Sequence, residues 1–332
     1  MTLVDIIPTE SYDTHSRSES VRRWGSSYST ALLDPRCLTF SVPSVEGVIG
    51  YRKENNCAVV FGEPVCPPES REILVKTFHQ HCKEHGWRVI YLISSQEFRD
   101  WAFANHICRG SVHLTEELVI NPQFDATVGS KGHLLRKKLN HSTGEGVSVQ
   151  EYVDINPVLE KDIETVANIW LKGRKGLQIY LADFELFSDR KGKRWFYASQ
   201  KGRVIGVLFL NQLEAHKGWL LNMQMAVPEA PNGTTEALVL KAVQILREEG
   251  CSYLTLGTAL SENEGTFVGF GKISSWLGQS VLKGVRYFFP LDKRRKYWEK
   301  FQVKKEPTYQ LFEKPQIGIK EIIGVMRIIT TK

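Results

Sequence analysis

The same punctuation occurs twice in this chain. Pro64 breaks an apolar run and stands 22 residues before the helix-ending Gly86, and Pro228 stands 22 residues before Gly250. Between the first pair, Ile73, Leu74, Phe78 and Cys82 recur at helical spacing; between the second, Ala237, Leu238, Val239, Leu240, Ile245 and Leu246 do the same. Each glycine leads into a short apolar run, Val89 to Ile93 and Tyr253 to Leu256, of the kind that forms a buried strand. Strand-like segments also precede each proline. Gly47 to Tyr51 and Cys57 to Phe61 read as a hairpin, and Trp195 to Ser199, Val204 to Leu213 and Trp219 to Val227 as a meander. The first unit continues with a helix from Gln96 to Asn105 and a strand from Val112 to Ile120. A repeated order of hairpin, helix and strand predicts a duplicated α/β fold: a polar arm over 1–30, one unit over 31–145 and a second over 146–332.

A chain of 332 residues exceeds one ordinary small core, and 42% hydrophobic with 24% charged residues is a normal packed composition. Apolar runs such as Val204 to Leu210 fall short of the roughly 18–20 residues that cross a bilayer. Asp5 and Glu10 interrupt the N-terminus, which lacks the pattern of a signal peptide. A cytoplasmic protein is expected, with any membrane contact peripheral. The segment Ile317 to Ile329 reads as a packing helix, with an interfacial, lipid-touching helix as the alternative. Cys37, Cys57, Cys66, Cys82, Cys108 and Cys251 lack CxxC spacing, so reduced thiols are expected and neither a metal nor a cofactor.

An antiparallel sheet whose central strand hands over to a helix resembles the GNAT acyltransferase fold, here as two tandem units with mixed sheets flanked by helices. A CoA-using member needs a glycine-rich pyrophosphate cradle at the helix N-terminus, where backbone N–H groups and the helix dipole hold the anion. The junction here, Val227-Pro228-Glu229-Ala230-Pro231-Asn232-Gly233-Thr234-Thr235-Glu236, has one glycine, no arginine and two carboxylates. A CoA-dependent N-acyltransferase is therefore disfavoured.

Ala230-Pro231-Asn232-Gly233, Leu256-Gly257-Thr258-Ala259-Leu260-Ser261 and Lys300-Phe301 with Glu306-Pro307-Thr308-Tyr309 follow one another along the chain. Gly62-Glu63-Pro64-Val65 and Arg136 to Asn140 precede them. This order resembles the C-terminal domain of bacterial phosphatidylglycerol lysyltransferases over about residues 40–312. The resemblance implies two GNAT-like halves and transfer of an aminoacyl group from aminoacyl-tRNA to a lipid hydroxyl or, in this chain, a peptidic acceptor. Counted back from Pro228, the family's catalytic Asp falls on Asn222 and its Arg on Met225, and a counterpart of the membrane-embedded half of those enzymes is not expected. A noncatalytic nucleic-acid or lipid-binding module of the same fold is thus a competing reading.

Transfer from an activated ester needs positioning, a proton acceptor and donors for the developing oxyanion. Asn222 and Gln224 are expected to alternate onto one face of their strand, opposite Met223 and Met225, and to meet substrate there. Glu236 is the nearest candidate base, with helix-dipole stabilisation as its structural alternative. Asn232, Gly233, Gly257 and Ser261 are the expected substrate contacts; Ser261, Glu262 and Glu264 could equally cap a helix after Gly265. His216 is read as an exposed turn residue.

Between Val281 and Lys305 stand nine basic and two acidic residues, more excess charge than the +6 of the whole chain. Arg294, Arg295 and Lys300, with Lys293 and Lys296, interleave with Tyr297, Trp298 and Phe301, a pattern suited to phosphates and stacked bases. Arg136, Lys137 and Lys138, with Lys131, form a second cluster, and Lys172, Arg174 and Lys175 a third. The first two supply the residues expected to contact tRNA. Trp298 and Phe301 have a core position as their alternative.

Overall fold

A computed structural model describes residues 14–173, 186–262, 265–271 and 292–315, together with 318, 322, 325, 327 and 328. Arg174, Lys175, Glu264, the Lys293 side chain and most of the 317–329 segment lie outside the described residues, although Val325 and Ile328 pack against the first half's sheet.

Strands β1 (Leu38–Phe40), β2 (Ile49–Glu54), β3 (Cys57–Phe61) and β4 (Arg88–Ser94) form one end of a single mixed sheet. The other end is β10 (Leu254–Leu260), β9 (Gly218–Ala226), β8 (Arg203–Leu213), β7 (Lys193–Gln200) and β6 (Ser148–Tyr152). At the centre the halves exchange strands. β12 (Lys304–Phe312), from the second half, lies between β4 and β5, and β5 (Gly110–Ile120), from the first, lies against β10. β11 (Thr266–Val268) pairs with β5 off this path.

The duplication is visible in the register. Helices α2 (Arg71–Glu84) and α6 (Thr234–Glu248) follow the two prolines, and each hands over to a parallel strand, β4 beside β3 and β10 beside β9. Seven residues after Gly86 and seven after Gly250, the chain adopts a positive φ, 61° at Ile93 and 76° at Gly257. Both positions are bulges: β4 slips against β12 between Tyr91 and Ser94, and β10 slips against β5 between Thr255 and Thr258. A dyad relating these bulges passes between β5 and β12, where Thr115 pairs with Thr308 and Glu116 with Pro307. The hydroxyls of Thr115 and Thr308 are 2.6 Å apart across it.

Helices cover both faces. α2 and α3 (Gln96–Ala104) bury Leu74, Phe78, Phe98 and Ala102 against the first half. α4 (His133–Gly144), α6 and α7 (Asp292–Glu299) bury Leu135, Leu238, Ala242 and Trp298 over the centre and second half. The opposite face of β8 and β9 is closed by α5 (Pro157–Gly173) through Ile163, Val166 and Met225. Part of the expected polar arm is docked: α1 (Thr14–Trp24) buries Val21, and Arg17 donates to the carbonyls of Leu32 and Cys37 at 3.2 and 3.0 Å.

The Gly62-Glu63 step anchors this docking. Gly62 has φ +82°, and a Cβ there would stand 2.3 Å from the Tyr28 ring. Glu63 Oε1 accepts from Tyr28 OH at 3.0 Å and from the backbone N–H of Ser95, the N-cap of α3, at 2.6 Å. Burial raises the Glu63 carboxyl above its usual range, against the lowering effect of these donors and of Arg71. Gly62→Ala is expected to lower stability by about 2 kcal/mol, through backbone strain and displacement of Tyr28. Urea denaturation reads this loss, and an unchanged midpoint would disprove the packing argument.

Candidate active site at the splay of β9 and β10

In the first half, β3 and β4 stay paired from Cys57/Arg88 through Phe61/Leu92. In the second half, β9 and β10 pair only at Trp219/Leu254 and Leu220/Thr255, although β9 continues to Ala226 and β10 to Leu260. The strands part, and a cavity of about 330 Å³ opens at the parting. Its second-half wall carries Asn222, Gln224, Gly257, Thr258 and Arg294. Tyr28 comes from the docked arm, Phe61 and Ile93 from the first half, and Trp170 from α5.

Asn222 and Gln224 both reach this cavity, but not by simple alternation. Leu221 pairs with Leu210 and Met223 with Phe209, so Asn222 is the unpaired residue of a bulge. Met223 and Met225 face α5, with Met225 fully buried. Gln224 faces the other way and is fixed: its amide donates to Thr235 O at 2.5 Å and to Tyr297 OH at 2.8 Å. The Asn222 amide has no hydrogen-bond partner among the described residues, which leaves its donors and acceptor free for a guest.

Glu236 is buried in the first turn of α6, 2.5 Å from the Lys300 ammonium, and also accepts from Thr235 Oγ1 at 2.9 Å. Burial pushes its carboxyl up, but the Lys300 hydrogen bond and charge outweigh this and hold it below the usual range. Burial lowers Lys300, against the raising effect of Glu236. The pair is ionised at neutral pH. Lys300 also sits over the Tyr297 ring, 3.5 Å from its centroid, so Gln224, Tyr297, Glu236 and Lys300 form one connected group behind the cavity wall.

Asn232 and Gly233 are packed under α4. Lys138 Nζ donates to Asn232 Oδ1 at 2.6 Å, and a Cβ at Gly233, whose φ is +99°, would stand 2.1 Å from Lys138 O. The helix N-terminus that a CoA pyrophosphate would use is therefore covered by α4. Gly257 lines the cavity at its bulge, and the neighbouring Leu256 carbonyl accepts from Arg294 at 2.6 Å. Ser261 is buried and donates to Glu116 at 3.1 Å, apart from the cavity wall. Glu262 pairs with Arg295 and Lys305, and Gly265 is followed by β11, so the described residues directly after Gly265 form a strand and not the helix expected there.

The basic clusters are largely engaged within the protein. Arg136 donates to the carbonyls of Thr127 and Gly129, and Arg295 lies 3.3 Å from Glu262 and 3.4 Å from Glu299. Lys137 remains on the surface. Trp298 and Phe301 belong to the core, which corrects the expectation that they stack on bases. His216 is exposed as expected, with its ring stacked 4.9 Å from that of Tyr253. Sequence reasoning missed Tyr28, Ile93 and Trp170 as cavity residues and gave Arg294 as a tRNA contact; the equal spacing of Ile93 from Gly86 and of Gly257 from Gly250 was the signal that could have found Ile93.

The duplicated mixed α/β fold, with its cavity where two parallel strands part, defines a protein of the tandem GNAT-like class. The model for the C-terminal region of phosphatidylglycerol lysyltransferase matches residues 19–312, and the chain belongs to that family. It is 22% identical over 334 aligned positions to a phosphatidylglycerol lysyltransferase of Staphylococcus epidermidis, covering 98% of this chain and 39% of that protein. It is also 22% identical to that of Bacillus subtilis, covering 77% of this chain and 30% of the other. The chain thus spans about two fifths or less of the length of these relatives. The solved structure of L-PGS from Bacillus licheniformis shares the fold, with a TM-score of 0.76 at 19% identity, covering 97% of this chain and 99% of that one. No helix among the described residues is long and apolar enough to cross a membrane.

Proposed function

We propose that this chain transfers an aminoacyl group from aminoacyl-tRNA to a hydroxyl of an anionic phospholipid of the phosphatidylglycerol type. The reaction is an ester exchange. The lipid hydroxyl attacks the aminoacyl carbonyl carbon, the bond to the 3′-terminal ribose oxygen breaks, and the proton of the attacking hydroxyl passes to that leaving oxygen. The observation that carries this reading is the free amide of Asn222, aimed by its bulge into a cavity beside the Arg294 guanidinium. Both are hydrogen-bond donors suited to the oxygen that gains charge in the transition state.

Glu236, held ionised by Lys300, fixes α6 to α7 and through Tyr297 sets Gln224; we assign it a positioning role. The covered N-terminus of α6 argues against a thioester nucleotide as donor. The units 31–145 and 146–332 stand in this reading as two copies, of which the second supplies the reacting groups and the first a wall. The 3′ end of the tRNA enters at the α7 side, with Arg294 nearest it and Lys300 behind the wall in its pair with Glu236.

The test is incubation with mixed radiolabelled aminoacyl-tRNA and phosphatidylglycerol in detergent micelles. Label appearing in the lipid fraction is expected. Binding of tRNA with no transfer supports a noncatalytic module and would overturn the proposal, as would saturable binding of CoA at the cavity.

A further inference from the structure

Three large apolar side chains are exposed on one tightly held loop. Phe124, Val128 and Leu134 keep 55%, 67% and 47% of their surface in water, within the connection from β5 to α4 and the first turn of α4. Looseness does not account for this exposure. Arg247 donates to the Pro122 carbonyl at 2.7 Å and pairs with Asp125 at 3.2 Å, Gln302 donates to Ala126 O at 3.1 Å, and Arg136 holds Thr127 and Gly129. Gln123 donates back to Arg247 O at 3.2 Å and to Cys251 O at 2.9 Å. The guanidinium of Arg136 grips the carbonyls on either side of Val128 and so ties the tip of the loop to α4. Such a scaffold fixes the backbone and leaves the apolar groups outside.

The charge around this tip has one sign. Residues 121–138 contain Lys131, Arg136, Lys137 and Lys138 against a single acid, Asp125, which Arg247 already neutralises. Lys131 and Lys137 are exposed and have no ion-pair partner among the described residues. A second exposed apolar group, Val153 and Ile155 between β6 and α5 and Val158 in the first turn of α5, provides the contrast. Its stretch 153–164 contains Asp154, Glu160, Asp162 and Glu164 against one base, Lys161. An anionic surface would attract the first group and repel the second.

We propose that the 121–137 tip docks the protein onto a bilayer surface containing anionic phospholipid, with Phe124, Val128 and Leu134 entering the headgroup and upper acyl region and Lys131 and Lys137 meeting lipid phosphates. Apolar side chains ringed by lysine suit that interface, where burial of the apolar groups and attraction to anionic lipid add together. A nucleic acid backbone would use the lysines but gain nothing from Val128 and Leu134, which favours lipid over RNA as the occupant. Lys138, one turn along α4 from Leu134, touches Asn232 before α6, whose first turn carries Thr235, the partner of Gln224 in the cavity wall. The inference goes beyond the transfer reading, because docking needs no donor and no reaction.

The test is sedimentation with vesicles of equal parts phosphatidylglycerol and phosphatidylcholine, and with vesicles of phosphatidylcholine alone. The intact chain is expected to bind the anionic vesicles. The double variant Phe124→Ser, Val128→Ser should bind them about tenfold more weakly, and Lys131→Gln, Lys137→Gln should weaken binding and flatten its salt dependence. Val153→Ser, Val158→Ser should bind like the unaltered protein. All these positions are exposed; in the Phe124→Ser, Val128→Ser variant, whose positions lie outside the candidate site and the tRNA contacts, loss of vesicle binding with transfer to micellar lipid retained is the expected pattern. Equal weakening by the acidic-patch variant, or unchanged vesicle binding in the Phe124 and Val128 variant with loss of tRNA binding in the lysine variant, would overturn the proposal and leave the transfer reading standing.

Discussion

Lys300→Met is expected to destabilise the protein by about 3–5 kcal/mol, because it leaves the Glu236 carboxylate buried without its counter-charge. Both side chains of the pair are at most 10% exposed, so water does not replace the lost partner. Glu236→Gln combined with Lys300→Met should recover much of the loss, since a neutral amide beside methionine leaves no buried charge. The pH dependence separates this account from a simple packing defect. In the unaltered protein the folded-state pKa of Glu236 is depressed, so its contribution is present above the ordinary carboxylate value and is lost as pH falls through the folded value. In Lys300→Met the lone carboxyl is pushed up by burial, and protonation relieves it. The gap between the two proteins should therefore narrow on acidification, read as urea midpoints from neutral pH downward. A gap independent of pH would remove the ion pair as its cause.

Asn222→Ala is expected to slow transfer by about 10²-fold or more while leaving the urea midpoint nearly unchanged. The asymmetry follows from the structure. The Asn222 amide makes no hydrogen bond within the described protein, so its removal breaks nothing in the fold, whereas a donor aimed at a developing oxyanion is worth several kcal/mol in the transition state. Gln224→Ala serves as the contrast: its amide bonds Thr235 and Tyr297, so this change should lower stability as well as rate. Single-turnover transfer from labelled aminoacyl-tRNA measures both. If Asn222→Ala turned over at the normal rate, the amide would have no part in the chemistry.

That Asn222 and Met225 stand where the resemblance expects a charged pair has a physical reading in these terms. Asn222 keeps hydrogen-bonding capacity at the cavity but no basicity, and Met225 is buried beneath α5. A positive charge reaches the cavity from elsewhere, from Arg294 on α7, which approaches across the bulge at Gly257. A side chain at Gly257 would crowd that guanidinium, with a Cβ 3.3 Å from its nitrogen. The first half has Ile93 at the corresponding bulge and keeps β3 and β4 paired through Phe61/Leu92, whereas β9 and β10 part after Leu220/Thr255.

The duplicated architecture was legible because its signals are local. Breakers such as Pro64 and Gly250, and apolar positions at helical spacing along α2 and α6, act on their immediate neighbours, and local rules of that kind survive without knowledge of the fold. The positions of Asn222 and Gln224 at the cavity were also anticipated, though by an alternation that the bulge breaks. What depends on partners far along the chain was not legible. The exchange of β5 and β12 joins residues 193 apart, and the early parting of β9 from β10 and the docking of Tyr28 on Glu63 involve residues 35 apart, all beyond the reach of a helical or hairpin window. For the same reason a run of cations reads as a phosphate-binding face until the fold shows where each one goes: Lys300 into a buried pair, Arg136 onto a loop backbone, Arg294 into the cavity. Charge is a property of a residue, but whether that charge is available belongs to the tertiary structure.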